Sequence, residues 1–368
     1  LDLAVGGGLT ATASADGTSV VLSRGDGSAS MVYGGLIAYD AAGATVPARM
    51  VVTTTASGQE VSIVVDDAGA QYPLTVDPFV QQAPLTPSVS GAAQYFGVST
   101  SLSADGKTAA VGAKSSTVDS IPGAVYIFTS NGSSWTQTAR LTASDGVIGD
   151  EFGNSVALSA DGKTLVVGMR SAKIGANDKQ GAAYVFTLNG TTWTQAPRVT
   201  ADQGGANDMF GFSVSVNANG TVFVVGAPYA DSAGKTNLGA VYYFSKSGTS
   251  WTQASKLTQT DLPASSYFGY SVSLSTSGTT LAVGAPNTTI GGSAGQGLVY
   301  AYFNGSARAF TSSDGAAGDG FGAAVTLNDD GSILLVGSPY SDVSGKTDQG
   351  AAYAFFRSDV NWTQISQI

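Results

Sequence analysis

The sequence predicts an all-β protein: a β-propeller of four-stranded blades, five repeats of which are visible, preceded by a small β-sandwich-like domain. Three observations carry this. The composition is that of strands and turns, since 49 Gly and 43% apolar residues stand against only two Glu, Glu60 and Glu151. The chain repeats itself at fixed spacings. Each repeat reads as short alternating strands around Asx-Gly turns.

The repeat comes first, because a missed period miscalls the whole fold. Phe-Gly pairs begin at Phe96, Phe152, Phe210, Phe268 and Phe321, and sixteen residues after each stands a glycine of a V-G-x-x segment: Gly112, Gly168, Gly226, Gly284 and Gly337. A G-x-x-Y tyrosine follows every time, at Tyr126, Tyr184, Tyr242, Tyr300 and Tyr353. Nine residues beyond four of these comes a tryptophan, at Trp135, Trp193, Trp251 and Trp362; the fourth repeat has lost that segment. Within one unit FGNSVALSADGKTLVVG reads as strand, D-G turn, strand, and GAAYVFTLNGTTWTQ as strand, N-G turn, strand. Four short antiparallel strands repeated in tandem are the propeller pattern, in which radial packing hides the sheet faces. The recurring Phe, Tyr and Trp are then core between blades, with ligand stacking the minor reading.

With 368 residues the chain is long enough for two domains. No run reaches the roughly 18 consecutive apolar residues of a membrane helix, so no membrane insertion is expected. The chain opens at Leu1 with no initiator Met and no basic-then-apolar leader, a pattern we read as processing or truncation. A net charge of −10 argues against nucleic acid as a partner. The absence of Cys and His removes disulfides, thiolate chemistry, Ser-His-Asp systems and the usual zinc ligands. Glycoside hydrolysis stays formally open, because it needs only two carboxylates at the right separation.

The Phe-Gly pairs, the V-G-A-P segments at Val225–Pro228 and Val283–Pro286 and the repeat length resemble FG-GAP repeats, the units of the integrin α-subunit propeller and of many bacterial surface proteins. The resemblance implies a secreted or cell-surface interaction and adhesion module, not an enzyme. Integrin-type repeats often hold calcium in a D-x-D-x-D-G hairpin. This chain has only S-A-D-G at Asp105 and Asp161, N-A-N-G at Asn219, T-S-G at Ser277 and N-D-D-G at Asn328–Gly331. So short a turn cannot supply the six to eight oxygens of calcium, and the hairpin site is expected to be missing.

A second acidic cluster precedes the Phe-Gly pair: Asp145 and Asp150, Asp202 and Asp208, Asp314 and Asp319. These six are the candidate ligands for Ca²⁺, weighed against the preference of connecting turns for Asp and Gly. The first and fourth repeats lack the pair, with Gln94 and Ser266 in the later position.

Residues 1–78 lack the repeat markers but show strands around A-D-G, A-A-G and D-D-A-G turns, and read as the small sandwich. The region resembles the segment that precedes FG-GAP arrays in bacterial exported proteins. Residues 79–368 form the repeat array, with 79–95 as a donated outer strand and connection, because FVQQAPLT at Phe79 aligns with WTQTARLT at Trp135. That makes twenty-one strands for five blades. The spare strand is expected to mean either that the natural ring has more blades than this chain shows or that the strand pairs elsewhere, by addition to another chain. Arg24-Gly25-Asp26 spells an integrin-recognised tripeptide, for which an ordinary turn is the stronger reading.

The leading function is thus binding of protein, polysaccharide or a second copy through propeller loops. The alternatives are a surface-layer or filament subunit assembled by strand exchange, and a carbohydrate-active propeller enzyme.

Overall fold

A computed structural model of the chain describes residues 2–5, 9–25, 29–55, 58–82, 84–89, 95–115, 122–132 and 134–368, and no helix occurs among them. Two compact units divide the chain, Leu1–Thr86 and Pro87–Ile368.

The first unit contains β1 (Asp2–Ala4), β2 (Thr10–Ala13), β3 (Val20–Ser23), β4 (Ala29–Tyr39), β5 (Thr45–Val46), β6 (Ala48–Thr55), β7 (Gly58–Val65) and β8 (Thr75–Gln82). Its sheets run β1-β7-β6 and β2-β3-β4-β5, with β8 on the other edge of β4. Ala11 and Val20 of one sheet and Met50, Val61 and Ile63 of the other share one buried core, a small two-sheet sandwich.

The expected donated strand is corrected here. Phe79 lies opposite Gly34 and Val80 opposite Tyr33, so β8 belongs to the first unit and joins no blade. The reason is hydrogen bonding: β3 occupies one edge of β4, and β8 satisfies the backbone groups on the edge that would otherwise stay open. The first unit therefore reaches Thr86 instead of stopping at residue 78. No blade strand is left over among the described residues.

The second unit is five four-stranded antiparallel sheets, each in sequence order. Blade one is β9 (Phe96–Leu102), β10 (Thr108–Ala113), β11 (Ala124–Ser130) and β12 (Trp135–Leu141); blade two is β13 (Phe152–Leu158), β14 (Thr164–Met169), β15 (Ala182–Asn189) and β16 (Thr192–Gln195). Blade three is β17 (Ser213–Val216), β18 (Val222–Ala227), β19 (Ala240–Ser247) and β20 (Ser250–Leu257); blade four is β21 (Ser271–Leu274), β22 (Thr280–Ala285), β23 (Leu298–Phe303) and β24 (Ser306–Phe310). Blade five is β25 (Ala324–Leu327), β26 (Ile333–Ser338), β27 (Ala351–Ser358) and β28 (Asn361–Gln367). Each is the predicted blade.

Successive blades join by one repeated junction. A leading face carries the aromatic markers edge to face, as in Phe152 and Tyr184 with ring centroids 5.6 Å apart. It packs on the smaller residues of the blade before it: Phe210, Phe223 and Tyr242 lie with Val166, Ala183 and Val185.

The V-G glycine is required by close approach. A Cβ at Gly168 would sit 2.0 Å from the carbonyl oxygen of Gly211, and the same clash recurs at Gly112, Gly226 and Gly284 at 2.1, 2.0 and 1.9 Å. Beside each stands a serine that donates to that same carbonyl: Ser99 to Gly153, Ser155 to Gly211, Ser213 to Gly269 and Ser271 to Gly322. Hairpin turns extend the seam as a backbone ladder, with the amides of Ala104, Ala160, Ala218 and Thr276 donating to Ala160, Ala218, Thr276 and Asp329.

Candidate functional site

Two sets of residues could carry function: the carboxylates before each Phe-Gly pair, and the loops at the end of the blades where that pair sits.

The carboxylates turn to separate structural partners. Asp145 accepts from the Tyr184 hydroxyl at 2.6 Å and from Arg198 at 2.6 Å. Asp314 lies near the Tyr353 hydroxyl. Asp202 is near Tyr242, whose buried hydroxyl has no hydrogen-bond partner. Asp261, outside the six candidate carboxylates, accepts from the Tyr300 hydroxyl at 2.8 Å. Its position in the repeat is that of Asp145, so the missed signal was the G-x-x-Y tyrosine 39 residues further on in both cases.

The second carboxylates cap their own loops. Asp150 accepts from the amide of Val147, Asp208 from Gly205 and Asp319 from Ala316, at 3.0, 2.8 and 2.8 Å. All three are buried, and burial raises the carboxyl groups of Asp150 and Asp208 above their ordinary range. In the fourth repeat Ser266 does related work, donating to the carbonyl of Pro263.

Among the described residues no three carboxylates converge. The hairpin turns are likewise engaged, since Asp105 accepts from the Ser103 hydroxyl at 2.6 Å and from the Lys107 amide at 3.0 Å. No hairpin turn offers more than two carboxylates, and the two of the fifth, Asp329 and Asp330, accept from Thr276 and Ser332, so these turns do not fit the six to eight oxygens of calcium. Gln94 and Asp26 lie outside the described residues.

The loop end has a different character. The residue before the Phe-Gly pair adopts a left-handed backbone in every blade: Tyr95 at φ 46°, Glu151 at 61°, Met209 at 56°, Tyr267 at 58° and Gly320 at 69°. For the four non-glycine residues this conformation costs about 1–2 kcal/mol each. It is held by a tight turn in which the residue three further on donates back, as Tyr270 does to the Tyr267 carbonyl. The turn brings side chains before and after the pair out to the surface.

Rings and charges then run from blade to blade. Lys114 lies 5.7 Å over the Tyr95 ring and 3.8 Å from Glu151. Glu151 pairs with Arg170 at 2.5 Å, and the Arg170 guanidinium lies 5.2 Å over Phe212. Phe212 meets Tyr270 at 4.7 Å and Tyr229 at 6.2 Å, and Tyr229 meets Tyr267 at 4.9 Å. The series ends at a cleft of about 380 Å³ walled by Tyr267, Tyr270, Pro286, Asn287, Pro339 and Tyr340, with no charged side chain in it. Tyr340 and Tyr95 are 58% and 56% exposed.

These residues were invisible to the repeat search, because each flanks a marker without being one. The available signal was bulky aromatics beside glycines, in Y-F-G at Tyr95 and Tyr267 and in P-Y at Tyr229 and Tyr340.

No curated protein matches the chain. The family model for the FG-GAP repeat matches residues 79–128, 135–186, 193–244, 251–302 and 306–355. Each match starts at or near an outer strand and ends in the third strand of the blade after it, so the first begins within β8. With most of its length covered by five such matches, this chain belongs to the FG-GAP repeat family.

Proposed function

We propose that the chain is a secreted or cell-surface adhesion module without catalytic activity, and that it binds a protein or polysaccharide through the loop end of its blades. The continuous series of rings from Phe212 to the cleft at Tyr340 carries this reading. Aromatic rings offer large contact area at low entropic cost, and soluble proteins rarely leave them clustered at a surface without a use. The left-handed backbone of Tyr267, in the wall of the cleft, supports it, because strain of this kind gathers at binding sites. FG-GAP repeats commonly mediate interaction with proteins or other ligands. Assembly by strand exchange has lost its motive, since β8 is paired within its own unit.

The test replaces Tyr229, Tyr267, Tyr270 and Tyr340 together by Ser. Binding to immobilised extracellular-matrix proteins and cell-surface polysaccharides is then compared with that of the parent chain. At least one ligand should be bound by the parent and lost in the variant while thermal unfolding stays close to the parent's. Equal binding of every ligand by both would refute the assignment.

A further inference from the structure

The outer rim of the array carries a feature unrelated to the loop end. Between blades one and two lies a cleft of about 450 Å³, walled by Trp193 and Leu188 of the later blade and by Thr129 and Thr138 of the earlier. Between blades two and three lies a cleft of about 400 Å³, walled by Trp251 and Lys246 on one side and by Thr187 and Thr194 on the other. Strand register shows the two to be the same site repeated: Leu188 pairs with Trp193 and Lys246 with Trp251, while Thr129 pairs with Thr108 and Thr187 with Thr164. In both, the indole packs against the interblade core while bordering the cleft.

The junction of blades four and five shows what a filled version looks like. Trp362 pairs with Arg357 in the corresponding positions, and Phe303 occupies the register of Thr129 and Thr187, opposite Thr280. The Arg357 guanidinium stacks 3.7 Å over the Phe303 ring. Protein atoms fill there the place that stays open at the first junction and that at the second holds only the Lys246 ammonium, 5.8 Å from the centre of the Trp251 ring.

We propose that the two open clefts are binding sites for a neutral saccharide. Their volume is that of a small ligand pocket, and their walls combine an indole with threonine hydroxyls and no carboxylate. A pyranose presents an apolar C–H face, which suits the electron-rich face of an indole, and a rim of hydroxyls, which suits threonine donors and acceptors. Two equivalent sites at successive junctions also favour a polymer of repeating sugars, since a second contact on the same chain is intramolecular.

The test titrates the full chain with neutral methyl glycosides and their linear oligosaccharides, up to about 100 mM because single-ring sites are weak. Tryptophan emission and the indole N–H signals are followed. The signals of Trp193 and Trp251 should move saturably with at least one sugar while that of Trp362 stays still. The double variant Thr129→Phe with Thr187→Phe, copying the filled junction, should weaken binding by at least about tenfold. The Tyr267→Ser variant should bind sugar as the parent does, which separates this site from the loop end. A flat titration across the panel overturns the proposal, as does movement of Trp362 alone or equal binding by the plugged variant. A threonine- or proline-rich peptide that moves Trp193 and Trp251 where no sugar does would replace the saccharide with a peptide and so overturn it too. Because the indole signals are read on the parent chain, the result stands even if the plugged variant folds poorly.

Discussion

The trailing face of blade four and the trailing face of blade five share a sheet design but meet different surroundings. On blade four, Ala282 and Val299 are fully buried under Phe321, Val336 and Tyr353, and Thr280 is fully buried against the turn at Gly331. On blade five the matching surface exposes Ile333, Leu335 and Phe356 at 38, 40 and 46%. The glycine persists as Gly337, yet the nearest atom to an added Cβ is that of Ala324 at 3.4 Å, an ordinary contact. Ala324 itself stands where the other blades place the serine that bonds across the junction. The lesson is that the V-G glycine and its serine serve the neighbouring blade and not the blade that contains them.

Substitution can break that comparison, most sharply at the glycine. Gly226→Ala sets a methyl group 2.0 Å from the Gly269 carbonyl and should cost at least about 3 kcal/mol, whereas Gly337→Ala should change stability by no more than about 0.5 kcal/mol. Chemical denaturation of the two variants measures the contrast, and equal losses would refute it. Next comes the carboxylate latch. Asp145→Ala leaves the buried Tyr184 hydroxyl without its acceptor and should cost about 1–3 kcal/mol, more than Tyr184→Phe, which removes donor and demand together. A double-mutant cycle would expose the coupling.

The serine is worth less. Ser213→Ala should lose about 1 kcal/mol at a closed junction, and Ala324→Ser should gain nothing on the open face. Smallest is the buried carboxyl of Asp150. Its folded pKa is raised by burial, so the folded chain holds the proton more tightly than the unfolded one does. The associated stability is greatest at low pH and is lost as pH rises through the raised value. Asp150→Asn keeps an acceptor for the Val147 amide and removes that loss. The variant should match or exceed the parent at neutral pH, by less than about 1 kcal/mol, in thermal melts run at both ends of the window.

Much of the array was legible because its constraints are periodic. Phe152, Gly168, Tyr184 and Trp193 recur with fixed offsets, and Asx-Gly turns mark the hairpins between them, so blades and strand order follow from the sequence. Pairing across long distances was less legible. Phe79 aligns with Trp135 and the family frame begins there, yet its backbone partner is decided by the open edge of β4, a property no local comparison contains. The resemblance of β8 to an outer blade strand still has a structural counterpart. The sheet order β2-β3-β4-β8 follows that of a blade, and the Ser14–Asp16 turn repeats the 2.6 Å side-chain bond found at Ser103–Asp105 and Ser159–Asp161. The aromatic series at the loop end was hidden for another reason. Tyr229, Tyr267 and Tyr340 lie on different loops of different repeats, and only the curvature of successive blades brings them into one row.

The cross-blade bonds have a consequence in time. Each closed junction is bonded both ways: the serine hydroxyl and turn amide of the earlier blade donate to carbonyls of the later one, while later-blade amides such as those of Phe210 and Leu158 donate to the Gln180 carbonyl and the Ser101 hydroxyl of the earlier. A chain made from its N-terminus at about 5–20 residues per second releases a new repeat roughly every 3–10 s. Each finished blade therefore waits for that interval as a ready template with unmet donors and acceptors. The order of synthesis is the order in which the seams can close. A pause within a connection would prolong the exposure of the blade just completed, and that is the moment at which this architecture is most open to pairing with the wrong chain.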